Sequence, residues 1–211
     1  MLNVGAAAVA KFLPNRVITT KGNRHSRFLY LTFDDGPDAA ITPKILKLLT
    51  RYNAKASFFW IGENIRKNPE IVLQAISEGH MVANHSNKHE SYANLKLENQ
   101  IEDIDKCQRE LTALNSAARK IFRAPRGQLG LLSLYNLKRN GWSIVHWSYD
   151  SLDHRQRTLE HHIEYVRKNP VQNGDIVLFH DDNELAHHML SILLPEWIEL
   201  GFNFPTIEEL L

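Results

Sequence analysis

The sequence predicts an α/β fold: a closed or nearly closed (β/α) barrel of about seven strands, TIM-barrel-like in plan. Two observations carry this. Short apolar, β-rich runs alternate with amphipathic segments of helical period along the chain, and strands separated by helices form a parallel sheet. The residues able to do chemistry fall at or just after the C-terminal ends of those runs: Asp34, Asp35, His85, Arg123, Asp150 and His180. In a (β/α) barrel that rim is the active-site face, and packing does not explain so many such residues on one rim.

The strands are expected at 28–33, 55–60, 80–85, 120–125, 143–149 and 175–180, with a weak last one at 202–204. Helices are expected at 41–52, 69–78, 97–114, 132–140, 158–168 and 184–200. In the first of these, Ile41, Ile45, Leu48 and Leu49 recur at helical spacing; in the second, Ile71, Val72, Ala75 and Ile76 do so. Gly79 and Gly141 stand where helix C-caps belong, just before a strand.

The chain has 211 residues, enough for one core, and is expected to form a single domain over 1–211. Its 43% hydrophobic and 23% charged content is that of an ordinary globular protein. A net charge of +1 provides no broad basic field, so no nucleic-acid partner is expected. The single cysteine, Cys107, excludes an internal disulfide and a thiolate metal cluster, and its helical surroundings predict an inert thiol. No apolar run approaches a membrane span. The apolar start, Met1 to Ala10, lacks a basic region and reads as a terminal helix or strand instead of a signal peptide, so a cytoplasmic location is expected.

Thr32-Phe33-Asp34-Asp35-Gly36-Pro37 is the most informative stretch. Neighbouring side chains point apart along a strand, but where the backbone turns two adjacent Asp can aim into one site. Two anions there need a cation or an arginine. His85 and His89, with three residues between them, supply imidazoles; alone such a pair is often incidental, but with Asp35 it makes an Asp-His-His set with an open position, the pattern of a catalytic metal site. Such a set accepts zinc and other divalent ions such as Co2+, Ni2+ or Mn2+. Asp34, the neighbour left over, reads either as a turn residue or as a general base. Arg123 reads either as a surface arginine or as the partner that keeps Asp34 ionised. His180 either caps a loop or, with a carboxylate beside it, acts as a general acid; Asp150 and Asp153 are the candidate partners.

These stretches resemble the polysaccharide deacetylases of the NodB-homology type, carbohydrate esterase family 4, over about 28–211. All five family motifs have counterparts in order: residues 32–37; His85-Ser86-Asn87-Lys88-His89; Arg123-Ala124-Pro125-Arg126-Gly127; Trp147 to His154; and Leu178-Phe179-His180-Asp181. There are two departures. Arg126 stands where the family usually has an aromatic residue, and His154 where it usually has tryptophan.

The resemblance implies a distorted (β/α) barrel, often seven-stranded, and hydrolysis of N-acetyl or O-acetyl groups on sugars, with zinc the usual metal. It implies Asp34 as base, Asp35, His85 and His89 as ligands, Arg123 as the base's partner and His180 as acid. Asp153 would be the carboxylate that tunes His180, with Asp150 second. Leu178 would line the acetyl pocket, and the backbone N–H at Arg126 would stabilise the oxyanion, while Trp147, Arg126 and His154 would shape the substrate groove. An arginine there suits an anionic sugar. An inactive sugar-binding homologue, or an amide hydrolase acting on a non-sugar compound on the same scaffold, are the alternatives.

Overall fold

The computed structural model describes residues 14–92 and 95–211. The reading of Met1 to Ala10 therefore lies outside the described residues. In chain order the elements are β1 (Tyr30–Asp34), α1 (Thr42–Arg51), β2 (Ala56–Trp60), α2 (Gly62–Lys67), α3 (Pro69–Ser77), β3 (Met81–Asn84), α4 (Leu97–Leu114), β4 (Ile121–Phe122), α5 (Leu131–Arg139), β5 (Ser143–Ile144), β6 (Tyr149–Asp150), α6 (Leu159–Lys168), β7 (Ile176–His180) and α7 (Glu184–Glu199). Single 3-10 turns lie at Pro125–Gly127 and Ile207–Leu210.

All seven strands pair in parallel in one sheet, in the order β5-β4-β3-β2-β1-β7-β6. The expected strand at 143–149 is two strands, and these occupy opposite edges. Val145 N–H donates to Phe122 O at one edge and Ser148 N–H to Ile176 O at the other. Three residues of chain reach at most about 11 Å, so the edges must be close and the sheet must curl into a barrel. Residues from the N-terminal side cross the same gap: Thr19 bridges Val145 in parallel and Lys21 bridges Asp175 in antiparallel fashion.

Three further boundaries differ from expectation. The strand expected at 120–125 is only Ile121–Phe122, because the chain turns at Pro125. The weak strand at 202–204 is a lone bridge between Asn203 and Phe28. The short helix α2 was not anticipated, because its six residues are too few for a periodic signal.

Alternation along the strands divides the core. Leu31 and Phe33 of β1, Phe58 and Trp60 of β2, and Val177 and Phe179 of β7 face the helices, where Ile45, Leu49 and Leu190 are buried. Tyr30, Phe59, Met81, Ala83 and Ile176 fill the barrel interior with Val145 and Ile207. Thr32 and Asp34 share the inner face of β1 with Tyr30, as side-chain alternation requires. Gly79 and Gly141 adopt φ of +79° and +81° as C-caps, where a side chain would be strained. Cys107 is fully buried and free, with Sγ 3.5 Å from Trp60 O. Among the described residues no helix is long and apolar enough to cross a membrane.

Candidate active site

The site begins where β1 ends. Asp34 keeps strand geometry and points inward. Asp35 turns into the left-handed region, φ 78°, which brings the second carboxylate to the same side. Left-handed geometry costs a non-glycine residue roughly 1–2 kcal/mol, so it persists only where neighbours enforce it. Asp35, Ser86, His89, Arg126 and Leu152 all have positive φ, and all lie in loops around this rim.

Two neighbours enforce the β1 turn. Asp181, fully buried, accepts from Gly36 N–H through Oδ1 at 3.0 Å, and from Thr42 Oγ1 and Trp60 Nε1 through Oδ2 at 2.6 and 2.9 Å. A Cβ on Gly36 would collide with that carboxylate, so only glycine fits. Burial pushes the Asp181 pKa up to about 7, against the lowering effect of those three donors. The second neighbour is α2. Asn64 donates to Asp35 O at 2.8 Å, and the N–H groups of Gly62 and Glu63 donate to Ser86 O and Asn87 O at 3.0 and 3.1 Å. The helix thus holds both loops at once. No sequence signal marked α2. Asp181 sat visibly inside the fifth motif, without an assigned part.

Asp35, His85 and His89 converge. Asp35 Oδ1 lies 3.4 Å from His85 Nε2 and 3.2 Å from His89 Nε2. Donors about 2.0–2.1 Å from one tetrahedral ion are themselves about 3.3 Å apart, so the spacing suits a shared cation. Asp35 Oδ1 is buried and accepts no hydrogen bond, which leaves it free to ligate. His85 Nδ1 lies 2.8 Å from Arg123 O. A carbonyl only accepts, so Nδ1 carries the proton and Nε2 presents its lone pair to the cluster. Burial opposes ionisation of Asp35, but His85, His89 and His180 outweigh it and hold its carboxyl well below the usual range. Burial, with help from His85 and Arg126, lowers the His89 pKa despite Asp35 and favours its neutral, ligating form. Asp35, His85 and His89 therefore fit a borderline divalent ion such as zinc.

Asp34 is held apart from that set. Its Oδ1 accepts from Arg123 Nη1 at 2.7 Å, while its Oδ2 is 3.6 Å from His85 Nε2. Arg123 is fully buried. Nη1 also donates to Thr32 Oγ1 at 2.9 Å, and the guanidinium carbon stands 4.0 Å from the centre of the Phe59 ring. A buried guanidinium needs a carboxylate, and a ring face makes up part of the lost hydration.

On the other side of β1, His180 ends β7. Asp153 clamps it twice: its Oδ2 accepts from His180 N–H at 2.7 Å, and its Oδ1 lies 2.8 Å from Nδ1. Burial resists the charged imidazole, but Asp153 prevails, joined by Asp34 and Asp35, and pushes the His180 pKa up to about 10. Asp150 is not in contact with His180. Its Oδ1 accepts from Leu152 N–H at 2.9 Å and is 3.9 Å from His154 Nδ1.

The other sequence candidates are distributed as follows. Leu178 is buried on β7 and alternates onto the same face as His180. Trp147 stacks on His146, with ring centres 3.9 Å apart, and backs Gly127. His154 is exposed and edge-on to His180, with ring centres 5.3 Å apart. Arg126 is exposed in the loop after β4. A cavity of about 350 Å3 is lined by Asp35, Asp153, His154, Arg155, His180 and Asp182, among others.

A buried Asp34–Arg123 ion pair, a three-residue cluster able to hold a cation and an imidazole charged by its carboxylate partner suit hydrolysis of an amide or ester. Comparison with known proteins agrees. The polysaccharide deacetylase family profile matches residues 21–145. The chain is 35% identical over 210 residues to a peptidoglycan-N-acetylglucosamine deacetylase of Bacillus cereus, covering 94% of each chain. It is 32% identical over 200 residues to a chitooligosaccharide deacetylase of Bradyrhizobium sp. (strain ANU 289), covering 88% of this chain and 91% of that one. The crystal structure of the Bc1960 peptidoglycan N-acetylglucosamine deacetylase superposes with a TM-score of 0.85 at 31% identity, over 90% of each chain.

Proposed function

Because the chain belongs to the polysaccharide deacetylase family, we propose that it is a metal-dependent hydrolase that removes N-acetyl groups from a sugar polymer or oligosaccharide and releases acetate. The observation that carries this reading is the unpartnered Asp35 oxygen between two imidazoles, beside an Asp34 that Arg123 keeps out of the ligand set.

Asp35, His85 and His89 hold the cation, with zinc the favoured ion. When bound, it supplies Lewis-acid polarisation of the acetyl carbonyl and acidifies a water molecule. Asp34 takes the water proton as oxygen attacks the carbonyl carbon, and Arg123 keeps that carboxylate aimed. The backbone N–H of Arg126 donates to the developing oxyanion. His180, charged through Asp153, gives its proton to the departing sugar nitrogen as the C–N bond breaks. Leu178 lines the place of the acetyl methyl group.

The test is acetate release by the zinc-loaded chain from chitooligosaccharides, peptidoglycan and acetylxylan. Asp34→Asn and chelated protein serve as controls. Release is expected from N-acetylated substrates. Asp34→Asn should lower it by about 10²–10⁴-fold, and chelation should abolish it. Release that survives both controls would remove the assignment.

A further inference from the structure

Two arginines without an ion-pair partner among the described residues stand in loops on opposite sides of the catalytic strand. The strand order β4-β3-β2-β1-β7-β6 puts the end of β1, with Asp34 and Asp35, between the loops that follow β4 and β6. Arg126 lies in the first loop and Arg155 in the second. Neither side chain makes a hydrogen bond or an ion pair among the described residues, and both are exposed. Arg123, which also follows β4, is committed to Asp34.

Arg155 lines the cavity with Asp35 and His180, and Arg126 lies three residues beyond the buried Arg123 in the loop after β4. The acids beside them are mostly spent: Asp153 on His180, and Asp35 within the ligand cluster. Asp182 is the remaining carboxylate in the cavity wall, where Asn183 Nδ2 donates to its Oδ1 at 3.1 Å. Arg126 also holds a left-handed φ of 56°, where glycine would carry no strain, so this loop keeps a cationic side chain in place of the cheapest residue.

We propose that Arg126 and Arg155 bind anionic groups on the units flanking the deacetylated sugar, so that the preferred substrate is an acetylated glycan bearing carboxylate or phosphate. A guanidinium presents a planar fork that matches both groups. The inference rests on the deacetylase reading for the reaction, but not for the binding.

The experiment uses the zinc-loaded full chain and three matched N-acetylglucosamine oligosaccharides: neutral, carboxylate-bearing and phosphate-bearing. Two readouts run side by side. One is the ratio of kcat/KM, charged over neutral; the other is the ratio of dissociation constants measured by calorimetry on Asp34→Asn protein. At least one charged series is expected to bind about tenfold tighter than the neutral one, with the gain in KM and not in kcat, and with the advantage falling as salt rises. Arg126→Gln and Arg155→Gln should each reduce that ratio, and together bring it to about one. The arm that responds distinguishes carboxylate from phosphate. Equal binding of all three series, or a preference that survives the double substitution, would overturn the proposal. If no series releases acetate, the deacetylase reading falls, and calorimetry still decides the anion site.

Discussion

The two sides of the site are each built on a histidine whose Nδ1 is held at 2.8 Å, and the partner decides what the ring can do. On the β3 side, His85 faces the Arg123 carbonyl; on the β7 side, His180 faces the Asp153 carboxylate. A carbonyl carries no formal charge. It selects a tautomer and leaves Nε2 as a lone pair, which makes a ligand. A carboxylate adds a full charge. It favours the imidazolium, which makes an acid. Both rings lie at strand ends, and both feel Asp34 and Asp35; the Nδ1 partner, a carbonyl for one and a carboxylate for the other, is what differs.

The largest effect that would break this comparison is on the β3 side. His85→Ala or Asp35→Asn should take bound zinc from one per chain to none, with turnover lost, while the His180 imidazole still titrates well above an ordinary histidine by NMR. Zinc retained at full stoichiometry would mean that the ligand set is misassigned.

Arg123→Met separates the two services that Arg123 performs. The carbonyl is backbone and survives, so zinc stoichiometry should hold. The guanidinium is lost, which leaves Asp34 buried without its partner, and removing one member of a buried pair costs roughly 3–5 kcal/mol. Urea unfolding measures the cost. Undiminished stability would show that Asp34 needs no counter-charge, and lost zinc would show that the carbonyl does not act alone.

The smallest effect is the most diagnostic of the β7 side. Asp153→Asn should move the alkaline limb of the rate profile downward, as the His180 pKa falls from about 10 toward the ordinary 6.5. The folded-state pKa is raised, so the stability that the pair contributes is complete below about pH 6.5 and is lost as pH rises through about 10. The wild-type and Asp153→Asn stability curves should therefore differ most in acid and neutral solution and converge above that range. Zinc loading should lower the His180 pKa, since a cation offsets the Asp34 and Asp35 charges that help raise it. An unmoved alkaline limb would remove His180 as the acid.

Much of this was legible in the residues. The adjacent Asp34 and Asp35 at a strand end, the His85–His89 spacing and the apolar run into His180 marked the rim, because alternation and strand ends are local properties. Choosing between Asp150 and Asp153 was beyond the residues alone. Asp150 ends β6 and Asp153 follows three positions later, with the left-handed Leu152 between them; Asp153 is the carboxylate that reaches His180. The apolar run 143–149 was legible as β-structure but not as two strands, since a run of strand-like residues carries no mark of where the chain changes edge. Asp181 and α2 were not legible as positioning groups: their partners Gly36, Thr42, Trp60, Ser86 and Asn87 lie far from at least one of them in sequence.

The sequence by itself determined the class of fold and the candidate residues gathered at its rim. Periodicity and strand-end placement depend on near neighbours, and the motifs are short and contiguous. Tertiary structure decided the roles. Whether an aspartate ligates, accepts a proton or charges a histidine depends on which groups from other strands lie within about 3 Å of it. Curling a parallel sheet sets those distances, bringing Arg123 from β4 onto Asp34 of β1 and Asp153 from beyond β6 onto His180 of β7.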